Sequence, residues 1–547
     1  MMVVAATFTV LLVSLLSLGA GLPSESVATH SEALSQELRH ALHTGHAGTN
    51  LRQVAQDLNL KSLVLEESHM MTRGVEGDVN LICVMCHTGV NELLYLVNNG
   101  TDPDVVVNSL ILLCVDLGIS NHIFCESIIN EVEPQLLWIL ENRALTANDM
   151  CGMMLVGFGC HTNNPDRVWE VTLPDVTKPP VLDPVLPPDN SPVMKVLHLA
   201  DTHFDPFYLP GSNAVCEEKY FCCRAESGPV NNPEDAAGKW GDYRNCDAPE
   251  WLLHALYQHI NTTYPDLDFI IWTGDLIPHI VWNTSREGNL EVIRSAVQMI
   301  HDYFPGVPVF PAIGNHESHP VNAWLLYDDV DPAEELQWMA AELQKAEDVG
   351  EKVYIIGHIP PGHEDCTNTW SHQYNRIIYR YESTIVGLFY GHTHKDHFMM
   401  FYDPEIPERA YHVGYVAQSQ TPYNKLNPGY RVYSVDGHYD GSSYRVLNTE
   451  NWVLDLDEAN ENDDPDFYLL YTAKEAYGMT DLFPASWDNL VDQMKEPNST
   501  VFNDFFKYYT KDGRPYREEG CDSDCKTSLL CRLVTSDTSD PSHCEGL

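Results

Sequence analysis

Apolar residues recur along this chain in two rhythms, and the change of rhythm divides it. Between Val79 and Gly157 they return every three or four positions: Ile82, Cys86, Val90, Leu93 and Val97, then Ile128, Ile129, Val132, Leu136, Ile139 and Leu140. That spacing puts them on one face of amphipathic helices. Leu173 to Pro192 holds seven prolines in twenty residues, the composition of a semi-rigid, extended linker. Beyond it come short apolar runs that read as strands: Lys195–Ala200, Phe269–Thr273, Val307–Ile313, Lys352–Ile356 and Ile385–Tyr390. Helical patterns at Pro249–His259 and Ala333–Ala346 alternate with them, which predicts an α/β layering. At the very start, Val3 to Leu18 is a run of 16 mostly apolar residues followed by Gly19, Ala20 and Gly21. A membrane span needs about 20 residues, so this reads as a secretory signal, although the basic flank such signals carry is missing. The acidic run Asp455–Asp466 reads as a solvated loop.

The 547 residues suggest roughly three or four domains. Hydrophobic residues at 44% exclude a wholly disordered chain. With 79 Asp+Glu against 31 Lys+Arg, the formal net charge is -48. Such a surface repels phosphate backbones and argues against a nucleic-acid partner. The isoelectric point of about 4.6 brings the protein near neutrality only in an acidic compartment. N-x-[ST] triplets at Asn99, Asn261, Asn283 and Asn498 agree with a secretory route and are candidate glycosylation sites.

The 15 cysteines fall into groups: Cys83, Cys86, Cys114, Cys125, Cys151 and Cys160; Cys216, Cys222, Cys223 and Cys246; Cys521, Cys525, Cys531 and Cys544; Cys366 stands by itself. In a secreted chain such groups imply disulfide frameworks, and six cysteines leave 15 pairings open. A redox or zinc reading of the Cys83–Cys86 pair is disfavoured, because no strand pattern precedes it.

The strand runs end in chemistry. Asp201-Thr-His203 follows the first. Gly274-Asp275 follows the second, with His279 four residues on. Gly314-Asn315-His316-Glu317 follows the third, Gly357-His358 the fourth and Gly391-His392-Thr-His394 the fifth. Carboxyl ends of strands are where α/β folds gather their sites. Each motif alone is common in turns. The five together supply what two divalent cations require: a carboxylate able to bridge them, imidazoles and a neutral amide oxygen.

These blocks resemble the calcineurin-like metallophosphoesterase superfamily. Within it, Ala237-Gly-Lys-Trp-Gly-Asp242, Gly357-His-Ile-Pro-Pro-Gly362, Asn427-Pro-Gly-Tyr-Arg-Val-Tyr433 and the last cysteine group are similar to the acid sphingomyelinases. The six-cysteine helical region resembles a saposin B-type domain. The resemblance implies a metallophosphoesterase sandwich with an all-α, disulfide-stapled module before it and a helical, disulfide-containing region after it. The expected boundaries are 1–21 signal, 22–78 N-terminal segment, 79–163 saposin-like domain, 164–192 linker, 193–440 catalytic domain and 441–547 C-terminal domain.

It further implies two Zn²⁺, one held by Asp201, His203, Asp275 and His394. The other takes Asp275, Asn315, His358 and His392. His279 and His316 then serve the leaving group in hydrolysis of sphingomyelin. The implied disulfides are Cys83–Cys160, Cys86–Cys151 and Cys114–Cys125. The implied partner is sphingomyelin in membranes or lipoprotein surfaces, touched through the saposin-like module by a protein favoured to be monomeric. The implied location is the lysosome, the extracellular space or both.

Two other classes use the same residues: a phosphodiesterase for soluble esters such as nucleotides, and an inactive lipid-binding variant. The helical module equally suits a bundle with no lipid role. His363 reads as a loop residue. For Tyr423, ordinary packing is preferred over a cation–π contact to choline. Only sixteen residues, Ser318 to Ala333, separate Gly-Asn-His-Glu from the next helix. The resembling family carries a longer stretch there, including a partner for the cysteine at Cys366. The chain is therefore expected to lack an internal segment.

Overall fold

The computed structural model describes residues 35–57, 81–142, 145–154, 169–216, 221–323 and 334–547. The expected signal, Cys160 and the Cys83 side chain lie outside what it describes. The chain divides into two compact units.

The first unit is helical. It contains α1 (Leu81–Asn98), α2 (Pro103–Asp116), α3 (His122–Asn142) and α4 (Ala147–Met154). Asp102 caps α2 by accepting from Asp104 N, and Pro103 occupies the first turn, where its missing N–H costs nothing. Cys86–Cys151 ties α1 to α4, and Cys114–Cys125 ties α2 to α3. Val90, Leu93, Ile111, Leu113, Ile128 and Val132 fill the interior. Ile280–Arg286 also belongs to this unit, with Trp282 against Phe124 at 5.2 Å between rings.

The second unit is the α/β body, whose first sheet is built from β1 (Val193–Leu199), β2 (Phe269–Trp272), β3 (Val309–Pro311), β8 (Gly429–Asp436), β9 (Val446–Leu454) and β10 (Phe467–Thr472). Their order is β10-β9-β8-β1-β2-β3. The second sheet holds β4 (Val353–Ile356), β5 (Ile385–Tyr390), β6 (His397–Tyr402) and β7 (Ala410–Val416), in the order β4-β5-β7-β6. Strands β1, β2 and β3 run parallel to one another, as do β4, β5 and β7.

The two sheets share one core. Val196, Ile271 and Tyr433 from the first meet Phe389, Met400, Val413 and Tyr415 from the second. The other face of the first sheet buries Leu197, Ile270 and Trp272 against Leu252, Leu256 and Ile260 of α5 (Glu250–Thr263) and Ala296, Met299 and Ile300 of α6 (Arg286–Tyr303). Each such side chain contributes about 1.5–3 kcal/mol on burial.

Several expectations shift. The third strand is three residues long rather than seven. Its pairing runs with the short β2, flanked by Ile270 N donating to the Pro308 carbonyl and Ala312 N donating to the Trp272 carbonyl. The acidic run is not a plain loop: Leu456–Asn462 is a helix, with Asp455 accepting from Asp457 N and Glu458 N and with Leu456 and Ala459 buried. No break falls at 441, because β9 and β10 continue the sheet of β1. The proline-rich segment is docked. Val171 N donates to Gln373, Arg380 to the Val176 carbonyl, and Lys178 pairs with Glu382 at 2.9 Å. Among the described residues, no helix is long and apolar enough to cross a membrane.

Candidate metal centre

The carboxyl ends of five parallel strands converge within the second unit, and every proposed ligand leaves its strand there. Asp201 and His203 follow β1, Asp275 follows β2, Asn315 follows β3, His358 follows β4, and His392 and His394 follow β5. The turns are tight. A Cβ at Gly314 would overlap the Asp275 carboxylate, and Gly274 sits at φ 89° against the Gly314 backbone. Asp201, His203, Asp275, His392 and His394 all have positive φ, between 40° and 72°. Non-glycine residues enter that region at a cost and persist there when the surroundings over-determine them.

The side chains form two adjoining groups. His203 and His394 approach nitrogen to nitrogen at 3.2 Å, with Asp201 and Asp275 beside them. His358 Nε2 is 2.9 Å from Asp275 Oδ2 and 2.9 Å from Asn315 Oδ1; His392 Nδ1 is 3.1 Å from the same Asn315 oxygen. Asp275 belongs to both groups. The outward nitrogens are held: His203 Nδ1 donates to the Ile277 carbonyl, His358 Nδ1 to the Thr273 carbonyl, and His392 Nε2 to Asp365 at 2.8 Å. Fixing one ring nitrogen turns the other toward a metal. Asp201 Oδ2 is buried without a hydrogen-bond partner. An orphaned carboxylate oxygen among inward imidazoles fits divalent cations.

Burial pushes the Asp201 carboxyl up to about 7, opposed by His358. Asp275 is held well below the carboxylate range, since His358 and His316 outweigh its burial. Asp275 and its neighbours raise His358 to about 10 against its burial. Burial lowers His203 and His394 well below the usual imidazole value and takes His392 to about 4. Glu317, the last residue of its motif, is pushed up to about 7 by burial and by Asp275. It accepts from Asp275 N and Leu276 N, so it ties the second turn to the third.

His279 and His316 lie beside the first group, with rings 3.8 Å and 4.9 Å from that of His203. His279 is also within ligand reach of His203 and His394. Its Nδ1 is 2.8 Å from Asp247 Oδ1 and its main-chain N donates to Asp247 Oδ2 at 2.7 Å. Tyr423 stacks on His279 at 3.9 Å and 6°. His363 is more than a loop residue, being buried with its ring 4.7 Å from His392 and Nδ1 3.4 Å from Asp365. Asp247, Asp365 and Lys511 were not singled out by sequence. They stand far from the motifs or between them, and no local pattern marks them.

Residues 194–396 match the family described as calcineurin-like phosphoesterase, and residues 411–545 match the acid sphingomyelin phosphodiesterase C-terminal region. A sphingomyelin phosphodiesterase of Bos taurus is 35% identical over 533 residues, covering 86% of this chain and 84% of the relative. The chain belongs to the sphingomyelin phosphodiesterase family. A Homo sapiens member is also 35% identical, covering 87% of this chain and 84% of its own length. Sphingomyelin phosphodiesterase 2 of Caenorhabditis elegans is 32% identical and is covered to 88%.

The family's sandwich lies in the second unit described above, which also includes the C-terminal helical, disulfide-bearing region. Cys216–Cys222, Cys223–Cys246, Cys521–Cys525 and Cys531–Cys544 are bonded, and Cys366 is a buried free thiol. The four sequon asparagines are exposed. The 533 aligned positions of the Bos taurus relative exceed the 86% of this 547-residue chain that they cover. The alignment is therefore gapped on this chain's side.

Proposed function

We propose that this protein hydrolyses sphingomyelin to ceramide and phosphocholine with two zinc ions. The observation that carries the reading is the convergence of Asp201, His203, Asp275, Asn315, His358, His392 and His394 in one buried cluster beside His279 and His316, in a chain of this family. Imidazole and oxygen donors suit zinc, and a bound pair supplies Lewis-acid charge and a nucleophile for in-line attack at phosphorus. The leaving group is a primary alkoxide and needs a proton. His279 delivers it, with Asp247 orienting the ring and stabilising its protonated form, a contribution of about 10²–10⁴ in rate. His316 steadies the phosphate oxygens.

The helical unit serves the lipid. Ile123, Trp138, Tyr95 and Val105 are exposed on its helices, apolar side chains available to a bilayer. A lipid leaving its membrane otherwise costs about 0.8 kcal/mol per exposed CH₂. The disulfides support a secretory route, ending in the lysosome or outside the cell. The chain also lacks an internal segment near 318–333. Phe310, Ile313 and Trp338 are exposed around that gap, and Cys366 has no partner cysteine among the described residues.

The deciding assay compares sphingomyelin liposomes with a nucleotide diester, with and without chelator. Chelator-sensitive hydrolysis of the liposomes is expected. Hydrolysis of the nucleotide alone would replace the lipid reading with the soluble-ester one.

A further inference from the structure

Lys511 lies in the turn after the helix Thr500–Tyr509, with no part of its surface exposed. A buried ammonium is costly unless its protons are used. Lys511 Nζ donates to Ser419 Oγ at 2.6 Å and to the Ser419 carbonyl at 3.1 Å. Its main-chain carbonyl accepts from Asn427 Nδ2, so the turn is anchored as well.

Ser419 opens a segment that is stitched to the metal centre at every step. Ser419 N donates to the His394 carbonyl, Gln420 N to the Ala200 carbonyl and Thr421 N to the Asp201 carbonyl. Ser419 Oγ donates to the Thr421 carbonyl at 2.8 Å. Thr421 Oγ1 then donates to Asp247 Oδ1 at 3.0 Å, the oxygen that faces His279 Nδ1. Two residues on, Tyr423 covers the His279 ring.

We infer that Lys511 is a positioning residue for the proton-donating histidine, acting from the C-terminal region through Ser419, Thr421 and Asp247. The Lys511 amino group locks the carbonyl and hydroxyl of Ser419, and this sets the height of Thr421 and Tyr423 against Asp247 and His279. Alignment of the reacting groups is worth orders of magnitude in rate, so slackening this segment costs proton delivery first. The inference rests on the proposed role of His279.

The test uses two substrates of the full chain, sphingomyelin and p-nitrophenyl phosphocholine. The first expels an alkoxide that needs a proton; the second expels a nitrophenolate that departs without one. His279→Ala is the control and should lose at least tenfold more kcat on sphingomyelin than on the nitrophenyl ester. Lys511→Met should show the same selectivity at about tenfold, with bound metal unchanged. Ser419→Ala reads the same relay with a smaller change to the core and should fall in the same direction, so a poorly folding Lys511→Met does not remove the test. Equal losses on both substrates in the relay variants, alongside selective loss in His279→Ala, would overturn the inference. Loss of metal from Lys511→Met and Ser419→Ala would also overturn it, by making Lys511 a support of the Asp201 side of the site. No selectivity in His279→Ala would instead overturn the role of His279.

Discussion

Replacing Asp365 with asparagine probes the half of the centre formed by Asp275, Asn315, His358 and His392. Asp365 Oδ2 lies 2.8 Å from His392 Nε2, and His392 Nδ1 is the nitrogen that faces Asn315. His363 and His392 hold the Asp365 carboxyl well below the usual range despite its burial, so His392 donates to a full negative charge. That charge makes the opposite ring nitrogen a stronger donor to a cation and fixes the ring's orientation. Asparagine keeps the shape and removes the charge. Loss of such a partner weakens metal binding about 10–100-fold, or about 1.4–2.7 kcal/mol. The other group, built on Asp201, His203 and His394, has no contact with Asp365. Chelator titration followed by metal analysis should therefore release one equivalent earlier than in the parent, with the second unmoved. Added zinc should restore most of the turnover. Unchanged release, or simultaneous early loss of both equivalents, would refute the assignment of Asp365 to one position.

Asp275→Asn should deplete both equivalents and abolish turnover, because both groups share that carboxylate; metal analysis with a single-substrate assay reads this. Ile123→Glu, on the exposed face of the helical unit, should cut hydrolysis of sphingomyelin in bilayers several-fold while leaving a soluble phosphocholine ester within about twofold. Glu131 accepts from Thr284 N at 2.9 Å and sits 3.3 Å from His319, and burial pushes its carboxyl up to about 7 against the Thr284 hydrogen bonds. A folded-state value above the unfolded one means stability that is complete below about 4.5 and lost as pH rises through about 7. Thermal melts across that window should show the decline, and Glu131→Gln should flatten it. Restoring a family-length segment between Glu317 and Glu335 should raise the melting temperature and the activity and remove the free thiol at Cys366, read by thiol labelling. A short form that is fully active with Cys366 unreactive would sink the idea of a missing segment.

The residues that converge in the candidate centre were legible because each motif sits at a strand end, where a tight glycine turn and a charged or imidazole side chain leave a local mark. The helix at Leu456–Asn462 was not, since a dense acidic run hides an N-cap and two buried apolar positions. Likewise, the length of the third strand depended on how far its neighbour accompanies it, and β2 spans only Phe269–Trp272.

Taken alone, the sequence determined the helical module, the strand–motif alternation and the grouping of the cysteines, because periodicity and turn chemistry act over a few residues. Only the tertiary structure decided that Val446–Leu454 and Phe467–Thr472 continue the sheet of β1, that Asp365 backs His392, that Asp247 faces His279, and that Lys511 reaches Ser419. Those pairings join residues 27 to 92 positions apart. They depend on which strand ends and loops the folded sheets bring together, and no short-range pattern in the chain encodes that.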